Sequence, residues 1–197
     1  MRIGIFGGSF DPVHNAHLIV ARLAHEQLQL DRTHFVVTAA QPLKDAAHAA
    51  SGHDRLHMVH LALEESVDQI ADGRELLRQG PSYTVDTIRS FREEFAGDEL
   101  VLILGADAAR EFDRWREPAR IREMARIAVC RRGNEAPPAA MRIDADIEVP
   151  ALDISSTTVR ARVARGLPVS GWVPQSVADY IVAARLYRNE QDDQTGR

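Results

Sequence analysis

The chain has 197 residues, of which 45% are hydrophobic and 27% are charged, and its formal net charge is −5 at pH 7. This composition is typical of a globular protein with a buried core, and the negative charge disfavours a general nucleic-acid-binding or membrane-binding protein. We predict one domain over residues 1–187 and a flexible tail over 188–197. The N-terminus has no signal-peptide pattern, and the longest apolar run, residues 100–104, is too short to span a bilayer, so we expect a cytoplasmic protein that binds small molecules.

The first element is an apolar strand, Ile3-Gly4-Ile5-Phe6, which leads into the segment Gly7-Gly8-Ser9-Phe10-Asp11-Pro12-Val13. We predict that a helix begins near Asn15. Glycines allow close approach of a ligand to the backbone, and the free N–H groups of a helix start attract an anion. His14 and His17 are three residues apart and share one face of that helix. The segment therefore predicts a nucleotide site that binds phosphate.

Strand-like and helical patterns alternate in the following residues. A helical stripe over residues 20–28 is followed by the strand Phe35-Val36-Val37. This alternation predicts an α/β fold with a doubly wound parallel sheet. Residues 39–54 lack periodicity and are predicted to form a loop at the carboxyl end of the second strand. Lys44 in this loop is the single lysine among 24 basic residues, which indicates either a need for a compact point charge or an accident of an arginine-rich composition.

Two further helices precede a central strand. Leu56, Val59 and Leu63 mark the first of these helices, and Gly80-Pro81-Ser82 opens the second, whose apolar face is Val85, Ile88, Phe91 and Phe95. The apolar run over residues 100–104 predicts a central parallel strand. Asp107 follows its carboxyl end, where parallel sheets meet their ligands, so we predict that it either contacts a ribose or base or caps a helix.

The next strand is predicted over residues 126–130. It contains the single cysteine of the chain, Cys130, which we interpret as a core residue rather than a nucleophile. Residues 134–140 include two prolines and predict a loop, and residues 147–149 predict a short strand.

A second helix start follows this short strand. Ser155, Ser156 and Thr157 have the hydroxyl groups typical of a helix N-terminus, and Gly166 predicts the end of the helix. Arg160 would lie near the same end as the hydroxyl groups. These residues predict a second anion site.

Four histidines cluster between the predicted strands: His48, His53, His57 and His60. The last three have spacings that could face one side of a helix. No carboxylate or cysteine completes an obvious zinc site, so we favour a solvated helix face. We predict that no side chains of this protein bind a metal ion.

The motif Gly-x-Phe-Asp-Pro-x-His-x-x-His over residues 8–17 resembles the signature of the nucleotidylyltransferase superfamily. Together with Gly80-Pro81-Ser82-Tyr83-Thr84, Gly105-Ala106-Asp107, Arg114-Trp115-Arg116 and Ile154-Ser155-Ser156-Thr157, it makes the chain similar to bacterial nicotinate-nucleotide adenylyltransferases from Gly4 to Tyr187. The resemblance implies a Rossmann-like nucleotidylyltransferase fold. It also implies transfer of an adenylyl group from ATP to nicotinate mononucleotide in NAD biosynthesis, with Mg²⁺ accompanying ATP.

The resemblance further implies a role for individual residues. His14, His17, Lys44 and Arg160 would surround the ATP phosphates as catalytic residues. Substrate contacts would come from Gly7, Gly8, Ser9, Phe10, Tyr83, Thr84, Asp107, Trp115, Arg132, Ser155, Ser156 and Thr157. Among these, the turn at Tyr83 would donate main-chain N–H groups to the nicotinate carboxylate, and Trp115 would stack on the pyridine ring. All of this requires that the helix starts near residues 15 and 155 meet around one triphosphate.

This chain departs from the family pattern at three places. Ala16 replaces a usual glycine, Leu43 replaces a histidine that commonly precedes the loop lysine, and Arg132-Gly133-Asn134 replaces a familiar Arg-Pro-Gly turn. The second departure leaves more of the phosphate binding to Lys44, and the third changes the turn that follows Arg132.

Two alternatives to this function remain open. A sister enzyme acting on phosphopantetheine or nicotinamide mononucleotide would share the phosphate-binding residues, although Trp115 and the Tyr83 turn favour nicotinate. A catalytically silent nucleotide-binding module is the other alternative, and the intact His14, His17, Lys44 and Arg160 speak against it. The sequence leaves open whether the chain forms a homo-oligomer.

Overall fold

Six parallel strands form one sheet in the order β3-β2-β1-β4-β5-β6. The computed structural model describes residues 1–39, 48–132 and 142–188, with only the backbone of Arg132. The strands are β1 (Arg2–Gly8), β2 (Arg32–Val37), β3 (Gln69–Asp72), β4 (Glu99–Gly105), β5 (Arg126–Arg132) and β6 (Ala145–Val149). The predicted doubly wound α/β fold is confirmed, because all neighbouring strands are parallel and the order reverses beside β1.

Helices cover both faces of the sheet. They are α1 (Asn15–Leu28), α2 (Gly52–Ala62), α3 (Thr84–Glu94), α4 (Ala106–Arg110), α5 (Pro118–Met124), α6 (Ser156–Ala164) and α7 (Gln175–Ala183), with a 3₁₀ turn at Phe112–Arg114. One buried cluster packs β-strand side chains against α1, α2, α6 and α7, and a second packs them against α3, α4 and α5. Across the described ranges, none of these helices is both long enough and apolar enough to cross a membrane.

The sequence predicted most of these elements. Helix α1 begins at Asn15 as expected, and the strands predicted over residues 100–104, 126–130 and 147–149 are confirmed within β4, β5 and β6. Helix α6 ends at Ala164, and Gly166 follows with φ +65°, as expected of a helix stop.

Three features differ from the expectation or lie outside the description. The predicted loop over 39–54 is too long, because Ser51 accepts a hydrogen bond from the Asp54 N–H and starts α2 at Gly52. Strand β3 and helix α7 were not predicted. The loop predicted over 134–140 falls among residues the structure does not describe, as does most of the predicted tail.

Cys130 lies in β5 and is 5% exposed, so its interpretation as a core residue is confirmed. Burial raises the pKa of this thiol to about 12. The thiol is therefore protonated at neutral pH, which is unfavourable for a nucleophile.

Candidate active site

Two adjacent strands end in exposed glycines at the carboxyl edge of the sheet. Gly7 lies near the end of β1, and Gly105 is the last residue of β4. A Cβ added to either glycine would have no atom of another residue, beyond the two chain neighbours, within 4 Å. Strand β1 pairs with β2 on one side and β4 on the other, so this is the point where the strand order reverses. Open α/β sheets bind ligands in the crevice at this point.

The first turn of α1 presents both predicted histidines. His14 is the N-cap residue and is 5% exposed, and its ring stacks on that of His17 with 3.6 Å between centroids. The His14 main-chain N–H donates to Nδ1 of His17 at 3.3 Å. Because Nδ1 accepts, the neutral His17 ring has its proton on Nε2 and can donate it to another group.

Phe10 fixes the glycine-rich turn against this histidine. Its ring is 1% exposed and lies 5.0 Å from the His17 ring and 5.5 Å from Phe35, between centroids. A Cβ on Gly8 would come within 2.8 Å of the Phe10 ring, so only glycine fits beside it. Phe10 itself has φ +46°, an uncommon conformation for a residue with a side chain.

Asp11 anchors the same turn to two distant parts of the chain, and sequence reasoning did not single it out. Its carboxylate is 4% exposed and accepts from the N–H groups of Ala49 and Ala50 at 2.7 and 3.1 Å. It also accepts from the Tyr187 hydroxyl at 2.8 Å. Burial, with the Asp11 charge beside it, raises the pKa of Tyr187, so the phenol keeps the proton that it donates.

The start of α6 contacts the turn that precedes His14. The Ser156 hydroxyl donates to the Pro12 carbonyl at 2.8 Å, and Arg160 donates to the Asp11 carbonyl at 2.7 Å. The two helix starts therefore meet, as predicted from the sequence. Ser155 caps α6 by accepting from the Thr158 N–H at 3.1 Å, and Thr157 accepts from Arg160 at 3.4 Å.

Two of the predicted hydroxyl groups have partners within the protein, and their contact with substrate stays a prediction. Those of Ser155 and Ser156 bond within the protein and hold the helix start in place. In the first turn of α6 the Thr158 N–H already donates to Ser155, and we expect the main-chain N–H groups of Ser156 and Thr157 to be the donors for an anion.

Arg55 is a second residue that sequence reasoning missed. It lies on α2, is 1% exposed, and its guanidinium donates to the carbonyls of Ser9, Thr38 and Ala50 at 2.7, 2.8 and 3.3 Å. Burial lowers the pKa of this guanidinium, although such a group remains charged at neutral pH. Arg55 thus ties the glycine-rich turn to the end of β2 and the approach to α2.

The residues predicted to bind nicotinate mononucleotide lie at the start of α3 and near the 3₁₀ turn. Tyr83 is the N-cap residue of α3 and Thr84 is its first residue. Trp115 follows the 3₁₀ turn and packs on Phe112 with 5.3 Å between ring centroids. The Arg116 guanidinium carbon lies 4.7 Å from the Tyr83 ring centroid, so the segment containing Trp115 is brought to the start of α3.

A buried polar cluster supports the start of α3. Thr87 donates its hydroxyl proton to Glu75 at 2.6 Å and accepts from Arg78 at 3.0 Å, and both Thr87 and Glu75 are buried. Burial raises the pKa of the Glu75 carboxyl, while Thr87, Ser82 and Arg78 favour its ionised form. These contacts fix the first turn of α3 to the connection that precedes it.

Three predicted residues are less defined by the structure. Asp107 does not cap α4, since Gly105 is the N-cap residue; its fully exposed carboxylate pairs with Arg110 in the same helix. The cap interpretation is therefore wrong, and the nucleotide contact stays a prediction. Arg132 ends β5 next to Val149 of β6, without a described side chain. Lys44 lies outside the described residues.

The histidine cluster does not form a metal centre in the described part of the chain. His53, His57 and His60 are exposed on α2, and His57 contacts Tyr180 with 4.5 Å between ring centroids. No group of three metal-ligating side chains occurs among residues 1–39, 48–132 and 142–188. The favoured interpretation of a solvated face agrees with this exposure.

The profile of the Cytidylyltransferase-like family matches residues 5–162. Together with the strand order and the paired helix starts, this match defines the class of the chain as a nucleotidylyltransferase. A relative from Thermus thermophilus, named "Probable nicotinate-nucleotide adenylyltransferase", is 45% identical over 95% of this chain and 100% of its own length. A relative of the same name from Rhodopirellula baltica is 38% identical over 94% of this chain and 93% of its own length. The chain belongs to the nicotinate-nucleotide adenylyltransferase family.

A solved structure supports the fold independently. The nicotinic acid mononucleotide adenylyltransferase of Plasmodium falciparum in complex with NaAD matches with a TM-score of 0.77 and 20% identity. The match covers 94% of this chain and 97% of that one. The same protein complexed with APC matches with a TM-score of 0.74.

Proposed function

We propose that this chain transfers the adenylyl group of ATP to nicotinate mononucleotide, giving nicotinate adenine dinucleotide and pyrophosphate in NAD biosynthesis. The observation that carries the proposal is the contact of α6 with the turn before His14, through Ser156 and Arg160. The contact brings two helix starts and a guanidinium to the turn that follows β1, which supports a shared site for the triphosphate. Family membership supports the same reaction, and the charged, water-soluble substrates support the predicted cytoplasmic location.

The reaction needs no protein nucleophile. A phosphate oxygen of the mononucleotide attacks the α-phosphorus of ATP in line, the new P–O bond forms, and pyrophosphate leaves. The protein contributes positioning and stabilisation of the charge that spreads over the transferred and leaving phosphates. His17 would donate from Nε2, with His14, Arg160 and Lys44 as further donors.

The acceptor would bind between α3 and the segment after the 3₁₀ turn. The free N–H groups at the start of α3, near Tyr83 and Thr84, suit a carboxylate. Trp115 supplies an aromatic face for the pyridine ring. Asp107 and Arg132 remain candidates for contacts with the nucleotides.

We propose that a magnesium ion enters with ATP as part of the substrate. Adenylyl transfer from ATP generally uses a divalent cation, and Mg²⁺ typically binds phosphate oxygens and waters with few protein ligands. The ion would neutralise charge on the leaving pyrophosphate.

Pyrophosphate release in a coupled assay tests the proposal. The chain is supplied with MgATP and, separately, nicotinate mononucleotide, nicotinamide mononucleotide or phosphopantetheine. We expect the highest kcat/KM with nicotinate mononucleotide. A higher value with either of the other acceptors would assign the chain to a sister enzyme, and no release with any acceptor would favour a silent nucleotide-binding module.

A further inference from the structure

We infer that Arg116 sets the preference of this enzyme for an acceptor whose pyridine ring has a carboxylate over one with a carboxamide. The inference deepens the proposed function and rests on it. None of the roles assigned above involves the Arg116 side chain.

Arg116 places a positive charge beside the start of α3. Its guanidinium carbon lies 4.7 Å from the ring centroid of Tyr83, the N-cap residue of that helix. Arg116 also directly follows Trp115, the proposed stacking residue, in the chain. A ring bound on Trp115 with its substituent at the start of α3 would therefore lie close to the guanidinium.

A charge is needed here because main-chain donors discriminate weakly between the two acceptors. The N–H groups at the start of α3 can donate to a carboxylate oxygen and also, more weakly, to the oxygen of a carboxamide. Only the carboxylate has a net charge that a neighbouring guanidinium attracts. Arg116 therefore adds a full positive charge to the partial positive charge of the helix start.

The acidic residues near Arg116 oppose its effect. The Glu117 carboxylate lies 3.6 Å from Nε of Arg116 and 3.8 Å from Nη2 of Arg89. Nη1 of Arg89 also lies 2.6 Å from the Asp86 carboxylate. Glu117 is thus shared between two arginines. Removal of its charge should strengthen the preference, which gives a second variant with the opposite expected sign.

The experiment measures kcat/KM for nicotinate mononucleotide and for nicotinamide mononucleotide at saturating MgATP, and compares their ratio between variants. We expect Arg116→Gln to lower the ratio about fivefold, the upper end of what a partly exposed ion pair contributes. The loss should come from a higher KM for nicotinate mononucleotide, with the KM for ATP unchanged. Arg116→Lys should retain most of the ratio, and Glu117→Gln should raise it.

Arg114→Gln is the matched control. Arg114 is two residues away, 68% exposed, and pairs with Glu111 at 3.2 Å, so its variant should keep the wild-type ratio. The effect of Arg116→Gln should also shrink as ionic strength rises, because salt screens exposed charges.

The outcomes separate this inference from the function on which it rests. An active wild type whose ratio is unchanged in Arg116→Gln overturns the inference alone, as does an equal loss with both acceptors. A wild type that releases no pyrophosphate with nicotinate mononucleotide overturns the proposed function, and the inference with it.

Discussion

His17 is held in place from three sides. Its ring stacks on His14, meets the edge of Phe10, and accepts the His14 N–H at Nδ1. These contacts direct the donor function of the ring to Nε2. The geometry thus gives His17 one orientation before a substrate binds, which is the property that catalysis by preorganised donors requires.

We therefore predict that His17→Ala lowers kcat roughly 100-fold or more, as the loss of one preorganised donor to a developing charge does. Circular dichroism should show an intact fold. His57→Ala, on the exposed face of α2, is the control and should keep wild-type turnover. An unchanged rate for His17→Ala in the pyrophosphate assay would remove His17 from the mechanism.

Arg55 offers a different test at the scale of one residue. Its planar guanidinium serves three carbonyls, and a lysine ammonium at the same depth could not reach all of them. We expect Arg55→Lys to lower the free energy of unfolding by about 1–3 kcal/mol, the cost of leaving buried acceptors unpaired. Urea denaturation measures this change.

Arg120→Lys is the control for Arg55→Lys. Arg120 is 57% exposed and pairs with Glu123 on α5, so its replacement should change stability little. Equal effects of the two substitutions would contradict the role assigned to Arg55. A raised KM for ATP in Arg55→Lys alone would further connect Arg55 to the glycine-rich turn.

The sequence predicted the residues that have a recognisable spacing and missed those that act through distant partners. His14 and His17 lie on a motif, and their shared face follows from helix geometry. Arg55 resembles any solvated arginine of a helix, because its partner carbonyls come from three separate segments. For Asp107 the residue type allowed a helix cap as well as a nucleotide contact, but the cap position falls two residues earlier, at Gly105.

Among the elements, β3 shows why a short strand escapes prediction. It has four residues, Gln69–Asp72, whose two ends are buried polar side chains rather than apolar ones. Its last residue, Asp72, accepts two parallel hydrogen bonds from Arg74, at 2.9 and 2.7 Å, and one from His34 on β2 at 3.0 Å. Side-chain hydrogen bonds thus help to hold β3 against β2. A search for hydrophobic periodicity does not detect such bonds.

The same cluster predicts acid sensitivity of this edge of the sheet. Burial alone would raise the pKa of Asp72, but the bonds from His34 and Arg74 outweigh it and hold the pKa below its usual value. The folded chain therefore keeps this carboxylate ionised at a pH where the unfolded chain binds a proton. Its contribution to stability is present above about pH 4 and is lost as the pH falls further.

We expect Asp72→Asn to lower the free energy of unfolding by about 1–3 kcal/mol at pH 7, because charge-assisted bonds are lost. The decrease in wild-type stability between pH 5 and pH 3 should become shallower in the variant. Urea denaturation at several pH values measures both effects. An unchanged slope would show that Asp72 does not control the acid response.

At the scale of the whole molecule, the bond between Tyr187 and Asp11 joins residues 176 positions apart. It connects the end of the described chain to the turn that precedes His14. The sequence predicted a domain reaching residue 187, but it could not show that Tyr187 contacts the glycine-rich turn. The doubly wound parallel sheet was predictable from the alternation of strands and helices, whereas this closure depends on contacts between distant residues.

We predict that Tyr187→Phe lowers the free energy of unfolding by about 2 kcal/mol, the usual contribution of a hydrogen bond to a charged group. Deletion of residues 189–197, the greater part of the predicted tail, should leave the free energy of unfolding unchanged. Thermal or urea unfolding of the two variants beside wild type provides the comparison. A larger loss from the deletion than from the substitution would contradict the predicted domain boundary.

Gly7 and Gly105 differ from Gly8 in the substitutions that the fold can tolerate. A methyl group at either position would meet no neighbouring atom, whereas one at Gly8 would strike the Phe10 ring. Mutational scanning scored for protein abundance should therefore accept alanine at Gly7 and Gly105 and reject it at Gly8. Scoring for growth that depends on the enzyme should reject alanine at all three, because we expect the substrate to occupy the space beside Gly7 and Gly105.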